Sequence, residues 1–356
     1  MGNSALKLLA ASGAKAATAD LAVVPFEDGG GGVQTIDISD PTNMSILATL
    51  SSSSAMTKPF GCKLDITNNR AFICCEDDSV AVIDVSNPSS PSITGALAAE
   101  HGLKYLDIDP TRDLVFGSKT GNPGGIRIYD VSDPTDPTES GSSLSAAFIG
   151  TLGIANHRSR NLCFIVDDDA MYAFSTGATN PSQNGSTLSD STNLNQAKAI
   201  KLDESNNIAF VAISNGIASV NIANTSSMAI LDTAQSTNAG DNQDIAIDLD
   251  AGIAFVTVAQ YNRGGLMCFD ISNPSSISLL DKLEDNTNLQ GARGVAYDPE
   301  AKVAYVSCGS GDKFTAVSAS NTSSLSILGS VATNDAPARF AINTTPREAT
   351  NAEETS

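Results

Sequence analysis

Apolar residues come in short runs of five to eight, rich in Val, Ile, Ala and Phe, with clusters of Gly, Asn, Asp, Ser and Pro between them. Runs of that length, bounded by turn formers and lacking a 3.6-residue period, read as β-strands. The stretch 292–332 shows the grammar. ARGVAYD is a first strand, 299–302 turn, VAYVSC is a second strand, GSGD turns, FTAVSA is a third strand, NTSS turns, and LSILGSV is a fourth. Four short strands joined by tight turns predict one small antiparallel sheet.

That grammar recurs. TIDISDPTNMSILATL, VIDVSNPSSPSITGAL, IYDVSDPTDPTESGSSL and CFDISNPSSISLLDKL share the order apolar, Asp, apolar, Ser, Asp or Asn, Pro. AFSTGATNPSQNGSTL, SVNIANTSSMAILDTA and AVSASNTSSLSILGSV fill the gaps as degenerate copies. The aligned positions Asp37, Asp84, Asp130, Ser175, Asn221, Asp270 and Ser318 are 47, 46, 45, 46, 49 and 48 residues apart. Seven units of that length, each with four strands, predict an all-β, seven-bladed β-propeller of four-stranded antiparallel blades. Asp or Asn can accept backbone hydrogen bonds while Pro fixes φ, so the signature forces the chain out of its third strand. These residues are therefore assigned a structural role rather than metal ligation.

The ends of the chain extend the prediction. The first unit begins at LAVVPF without a first strand, whereas ARFAINTTPREA near the carboxyl terminus matches ARGVAYDPEAKV and has no blade of its own. Residues 338–344 are expected to supply the innermost strand of the first blade and close the ring, leaving no open edge. The expected organisation is an amino-terminal docking segment (1–20), a propeller (21–344) and a polar tail (345–356).

The signatures IDISDPTNMSILATL and IDVSNPSSPSITGAL resemble the LVIVD repeat, including Gly32 and Gly125 before third strands, while the fourth, fifth and seventh units depart from the Asp-x-Ser-Asp-Pro element. The resemblance implies a surface-associated bacterial, archaeal or viral propeller.

Composition narrows the function classes. The 356 residues carry 40 Asp and Glu against 20 Lys and Arg, a formal charge of -20, which repels phosphate backbones and argues against nucleic acid as a partner. No apolar run is long enough for a membrane-spanning helix. Cys62, Cys74, Cys75, Cys163, Cys268 and Cys308 show no C-x-x-C spacing, and are expected as buried free thiols, with a Cys62 to Cys74 bridge as the alternative.

Recognisable catalytic chemistry is sparse. His101 and His157 are the two histidines; His157 occupies the turn position held elsewhere by Asp109, Asp203, Asp248 and Asp298. No Cys/His metal spacing, nucleophile elbow, H-E-x-x-H or phosphate loop is present, and the glycine run 29–32 reads as a turn. No cofactor and no catalytic or metal residue is assigned. Aligned first strands place Gly61, Lys104, Leu152, Lys198, Gln243, Arg293 and Arg339 at one level of the channel mouth. A basic mouth is the opposite of a metal site. Lys104, Lys198, Gln243, Arg293 and Arg339 are candidates for binding an anion or carboxylate, since arginine grips carboxylates bidentately; the alternative is that each cation pairs with a nearby carboxylate. Acidic turns at Glu27 and Asp28, 76–78, 167–169 and Asp312 should share that face, with calcium conceivable at 167–169 and a solvated hairpin tip the competing reading.

Residues 5–16, ALKLLAASGAKA, have helix-forming composition, with Leu6, Leu8 and Leu9 as candidate docking residues. Lys7 and Lys15 interrupt any export signal, and Leu6 stands where a myristoylation signal wants Ser or Thr. The opening MGNSALKLLAASGAKAATA resembles the leaders of bacteriophage tail and appendage proteins. The expectation is a noncatalytic virion module, a tail fibre, spike or capsid-associated appendage, docked through its amino terminus to other virion or surface proteins and binding a host cell-surface molecule. A cellular surface adhesion or scaffold protein is the alternative, and a propeller lactonase or other hydrolase the third class.

Overall fold

The computed structural model describes residues 20–344, apart from 28–29, 77–78, 99–101, 149, 178–179, 237–239 and 261–262. The described residues form seven antiparallel sheets arranged as the blades of a propeller. The only helical element among them is a 3-10 turn at Arg158–Arg160. The last unit has strands at Ala292–Asp298, Val303–Cys308, Lys313–Ser318 and Ser326–Ala332, in the places the turn residues predict. The inner strand of blade 1 comes from the far end of the chain: Ala341–Asn343 pairs antiparallel with Leu21–Phe26 through Leu21↔Asn343 and Val23↔Ala341. The ring is thereby closed by the carboxyl-terminal strand.

Blade 4 departs from the regular plan. Its fourth strand is split into Ser182–Gln183 and Leu188–Ser189, both pairing with Ala170–Ser175. Asn184 and Gly185 lie in the break. Asn184 Nδ2 donates to Ser175 Oγ at 2.8 Å, and Gly185 adopts φ +81, with the Thr225 carbonyl of blade 5 where a Cβ would stand. A side chain at that position would be both strained and blocked.

Burial explains why the strands are nearly continuous apolar runs. Leu21 and Val23 pack towards blade 2, whereas Ala22 and Val24 pack towards blade 7, as the period of two requires. Each blade is thus buried on both faces, and the core of the molecule is a ring of seven clusters, one per interface. All six cysteines are buried within this ring and free.

The signature turns have the expected cause. The Asp37, Asp84, Asp130 and Asp270 carboxylates each accept the N–H of a serine two residues on, at 2.8–2.9 Å. Asp40 and Asp133 repeat the device with Thr42 and Thr135. The proline carbonyl then reaches the preceding blade: Thr35 Oγ1 donates to Pro88 O at 2.6 Å and Ser219 Oγ to Pro274 O at 2.5 Å.

A second interblade clasp was not read from the sequence. Arg70, Arg112 and Arg160 donate to the carbonyls of Val131, Thr176 and Ile222, the residues that follow Asp130, Ser175 and Asn221 in the next blade. Between blades 7 and 1 the Tyr305 hydroxyl serves the equivalent Ile38 carbonyl. Arg160 also donates to Asn207 Oδ1 and Ala223 O, so Arg160→Met should cost about 1–2 kcal/mol in chemical denaturation, the value of charged hydrogen bonds partly replaced by water. An unchanged midpoint would deny the clasp its role.

Candidate functional site

The inner strands surround the central channel, and most begin with a defect. In blade 2 the pairing jumps from Pro59↔Cys75 to Gly61↔Cys74, in blade 3 from Leu103↔Lys119 to Tyr105↔Ser118, and in blade 7 from Ala292↔Cys308 to Gly294↔Ser307. Blades 4 and 6 shift similarly between Thr151 and Ile154 and between Asn242 and Ile245. The extra residue, Phe60, Lys104 or Arg293, falls out of the ladder, and a bulge re-aims such a side chain.

Each mouth cation meets a carboxylate of an adjacent blade. Lys104 Nζ lies 3.0 Å from Glu76 Oε1 and above the Phe60 ring at 5.3 Å. Lys198 pairs with Asp241, whose other oxygen accepts a 2.7 Å hydrogen bond from Gln243 Nε2, and Arg293 pairs with Glu27. These pairs join blades 3 and 2, 5 and 6, and 7 and 1. Partly exposed, each is worth at most about 1 kcal/mol to stability, but together they commit the cations of the rim. The side chain of Leu152, His101 and the docking residues Leu6, Leu8 and Leu9 lie outside the described residues.

Arg339 is not level with the others. Leu21↔Asn343 is the counterpart of Val303↔Asp298, and Phe26 bridges Pro337 as Cys308 pairs with Ala292. Ala338 therefore matches Arg293, and Arg339 sits one residue deeper, with Gly294, Gly61, Tyr105 and Asp244. Matching Ala338-Arg339 to Ala292-Arg293 sets Thr344 opposite Asp298, whereas the strand pairing sets Asn343 there, so Arg339, like Gly61, stands four rather than five residues before its turn residue. Arg339 is 8% exposed. Its guanidinium lies 3.7 Å above the Tyr105 ring of blade 3, and its Nε is 3.5 Å from Asp244 Oδ1 of blade 6.

Below the rim lies a cavity of about 310 Å³ lined from all seven blades, with Lys63, Tyr105, Lys201, Asp244, Tyr297 and Arg339 among its polar side chains. A second cavity of about 140 Å³, which shares both lysines in its lining, adds Asp107, Asn156, Arg158 and Glu204. Lys63 Nζ is 3.3 Å from Asp107 Oδ1, and Lys63 and Lys201 line both cavities. The next blade ties both carboxylates by a backbone N–H: Asn156 to Asp107 at 2.8 Å and Val295 to Asp244 at 3.1 Å. Burial works against a charged Asp107, yet Lys63, Lys201 and that N–H hold its pKa below the usual value. Burial likewise opposes charge on Lys63, but Asp107 overcomes it and raises the pKa. Lys201 goes the other way, pushed down to about 8 first by the Lys63 ammonium and then by burial.

Sequence reasoning missed Lys63, Asp107, Lys201 and Asp244. A signal existed for three of them: two positions before the turn residue stand Lys63, Asp107 and Lys201, where four other units have Ala155, Ala246, Ala296 and Ala341. Charge at a position otherwise alanine marks the channel. His157 is a buried turn residue, its Nδ1 3.2 Å from Glu204 and its Nε2 3.3 Å from Asn207 Oδ1. Asp167 accepts the Gly150 N–H at 3.0 Å, and Asp312 that of Ala336 at 2.9 Å, so these acidic turns share the mouth face. Among the described residues no group of three or more His, Cys, Asp or Glu is placed to hold a metal ion. No helix among them is long and apolar enough to cross a membrane.

Comparison with known proteins bears on the fold. No curated protein matches the sequence. Solved structures similar to the chain include a functionally unknown protein from Desulfotomaculum acetoxidans (TM-score 0.72, 16% identity, covering 92% of this chain and 100% of that one). The periplasmic gluconolactonase of Pseudomonas aeruginosa has TM-score 0.75 and 11% identity over 92% of this chain and 99% of its own. A hypothetical selenium-binding protein from Sulfolobus tokodaii has TM-score 0.70 and 12% identity over 91% and 93%. At such identities the likeness is one of fold. The resemblance of the leader to virion proteins finds no support in these matches. The LVIVD repeat is matched at residues 28–50, 62–98, 122–144 and 239–284, the units with the complete Asp-x-Ser-Asp/Asn-Pro signature. The chain is a seven-bladed β-propeller that carries LVIVD repeats in its first, second, third and sixth blades.

Proposed function

We propose that the chain is a noncatalytic binding and assembly module, and that its setting is a virion appendage. The observation that carries the first part is the rim. Lys104, Lys198 and Arg293 are spent on carboxylates of neighbouring blades, which stiffens a polar platform rather than arming a reacting centre. The leader, with Leu6, Leu8 and Leu9, supports the second part as the segment that docks to other virion or surface proteins. The platform then faces a host cell-surface molecule. A charge of -20 disfavours nucleic acid as that partner, and nothing in this reading requires insertion into a membrane. The same platform would serve a cellular adhesion or scaffold protein.

The fold of the Pseudomonas aeruginosa gluconolactonase supplies the competing reading, lactone hydrolysis. Both are tested together. Particles released by lysis and banded on a density gradient should carry the chain, as detected by mass spectrometry, and Leu6→Asp with Leu9→Asp should release it. The purified chain should hydrolyse gluconolactone no faster than buffer. Turnover above buffer would overturn the noncatalytic reading, and a chain absent from every particle fraction would overturn the virion setting.

A further inference from the structure

We propose that the central channel binds a small aliphatic monocarboxylate between Lys63, Lys201 and Arg339. This site lies below the rim and does not depend on the attachment reading.

Three observations carry the inference. The first is charge. Lys63, Lys201, Arg339 and Asp244 line the first cavity, and the second, which shares both lysines, adds Asp107, Arg158 and Glu204: four cations against three carboxylates, inside a chain whose net charge is -20. One negative charge balances the set, and a dianion would meet the two fixed aspartates. Those aspartates cannot swing away to settle the imbalance, because the Asn156 and Val295 N–H groups hold them. The second is that Lys63 and Lys201, from blades 2 and 5, line both cavities together. Two ammonium groups sharing a buried space repel, and the repulsion is relieved if an anion lies between them or one proton leaves. The third is Arg339. Its side chain is more than nine-tenths buried, yet Nε and Nη2 donate no hydrogen bond among the described residues, and Asp244 stands 3.5 Å from Nε. A guanidinium fixed flat on the Tyr105 ring with unspent donors is arranged for the two oxygens of a planar carboxylate.

The walls choose the rest of the ligand. Between the charged groups the cavity is lined by Ile154, Ala199, Ile200, Ala246 and Val295, which offer apolar surface to a short alkyl chain. A volume of about 310 Å³ accommodates a chain of a few carbons rather than a sugar polymer. The carboxylate sought at the mouth is therefore placed one step deeper, with Arg339 the one residue common to both sites.

Isothermal titration with pentanoate, using pentanamide as the uncharged equivalent and inorganic phosphate as competitor, tests the proposal on the full chain. Pentanoate should bind with Kd below about 1 mM, an ordinary affinity for a ligand of this size, and pentanamide should not. Lys201→Met and Arg339→Gln should each weaken pentanoate at least about tenfold, the loss expected for one charge-assisted contact. Lys104→Gln at the rim should leave it unchanged. Lys201 shares its cavities with Lys63 of blade 2, Asp107 of blade 3, Arg158 of blade 4, Asp244 of blade 6, Arg339 of blade 1 and Glu204 beside it. Since Lys63 depresses its pKa to about 8, wild-type binding should weaken about tenfold from pH 6.5 to 9.5 as its proton leaves. Melting at pH 7 shows whether each variant is folded, and Lys201→Met should melt no lower than wild type. Equal binding of pentanamide, tighter binding of phosphate, retention of pentanoate by folded Lys201→Met, or no heat at 10 mM pentanoate, a concentration about ten times the Kd ceiling, would each overturn the proposal.

Discussion

Removal of residues 337–356 should lower the melting temperature by about 10–15 °C or prevent folding. The segment supplies the inner strand of blade 1, and without it Leu21, Ala22 and Val23, all buried, become an open edge with unpaired backbone groups. It also carries Ala338 and Phe340; the Phe340 ring meets Phe314 edge to face at 4.7 Å in the interface between blades 7 and 1. Loss of one buried phenylalanine costs about 3–5 kcal/mol before the strand pairing is considered. For a domain of this size each kcal/mol moves the midpoint by about 2–4 °C. Phe340→Ala should produce a smaller fall of the same sign. A truncated chain that melts with wild type would refute closure by the carboxyl-terminal strand.

Lys201→Met should stabilise the protein at neutral pH, by up to about 3 kcal/mol, and the gain should vanish by pH 10.5. The folded pKa of Lys201 is pushed down to about 8 from an ordinary 10.5, so between those values the unfolded chain binds a proton that the folded chain does not. Stability contributed by this residue therefore rises with pH across that window. Below about pH 8 the full penalty of a second ammonium beside Lys63 is present. Methionine fills a similar volume without the charge, and Asp107 and Asp244 keep Lys63 and Arg339 as partners. Denaturant titrations of both proteins at pH 7 and pH 10.5 measure the difference. A variant less stable than wild type at pH 7 would show that Lys201 is a net stabilising partner of the aspartates.

Local pattern controls part of this architecture and the packing of blades controls the rest. The seven units, their strands and the Asp-Pro turns were legible because each follows from local rules: a period of two on strands buried on both faces, and an Asp or Asn that caps its own turn. The carboxyl-terminal strand was legible because a unit lacking its first strand at one end and an extra first strand at the other can only be joined through the ring. His157 was read correctly as a turn residue from its position alone.

The candidate site was legible only in part. Lys104, Lys198, Gln243 and Arg293 do gather at the mouth, but their partners Glu76, Asp241 and Glu27 belong to neighbouring blades, and only the packing of blades brings them within reach. Arg160 and its relatives Arg70 and Arg112 lacked a visible role for the same reason: their acceptors are backbone carbonyls, which leave no mark in sequence.

The sequence by itself determined the fold class, the number of blades, the closure of the ring and the acidity of the surface, since each is set by residue type and local spacing. Tertiary structure alone decided the channel. Strand pairing sets Asn343 and not Thr344 level with Asp298, so Arg339 leaves the rim level and enters the channel, and closing the ring brings Lys63 of blade 2 and Lys201 of blade 5, residues far apart along the chain, into the lining of the same cavities. Their proximity, and the depressed pKa that follows from it, exists only once seven blades share one axis.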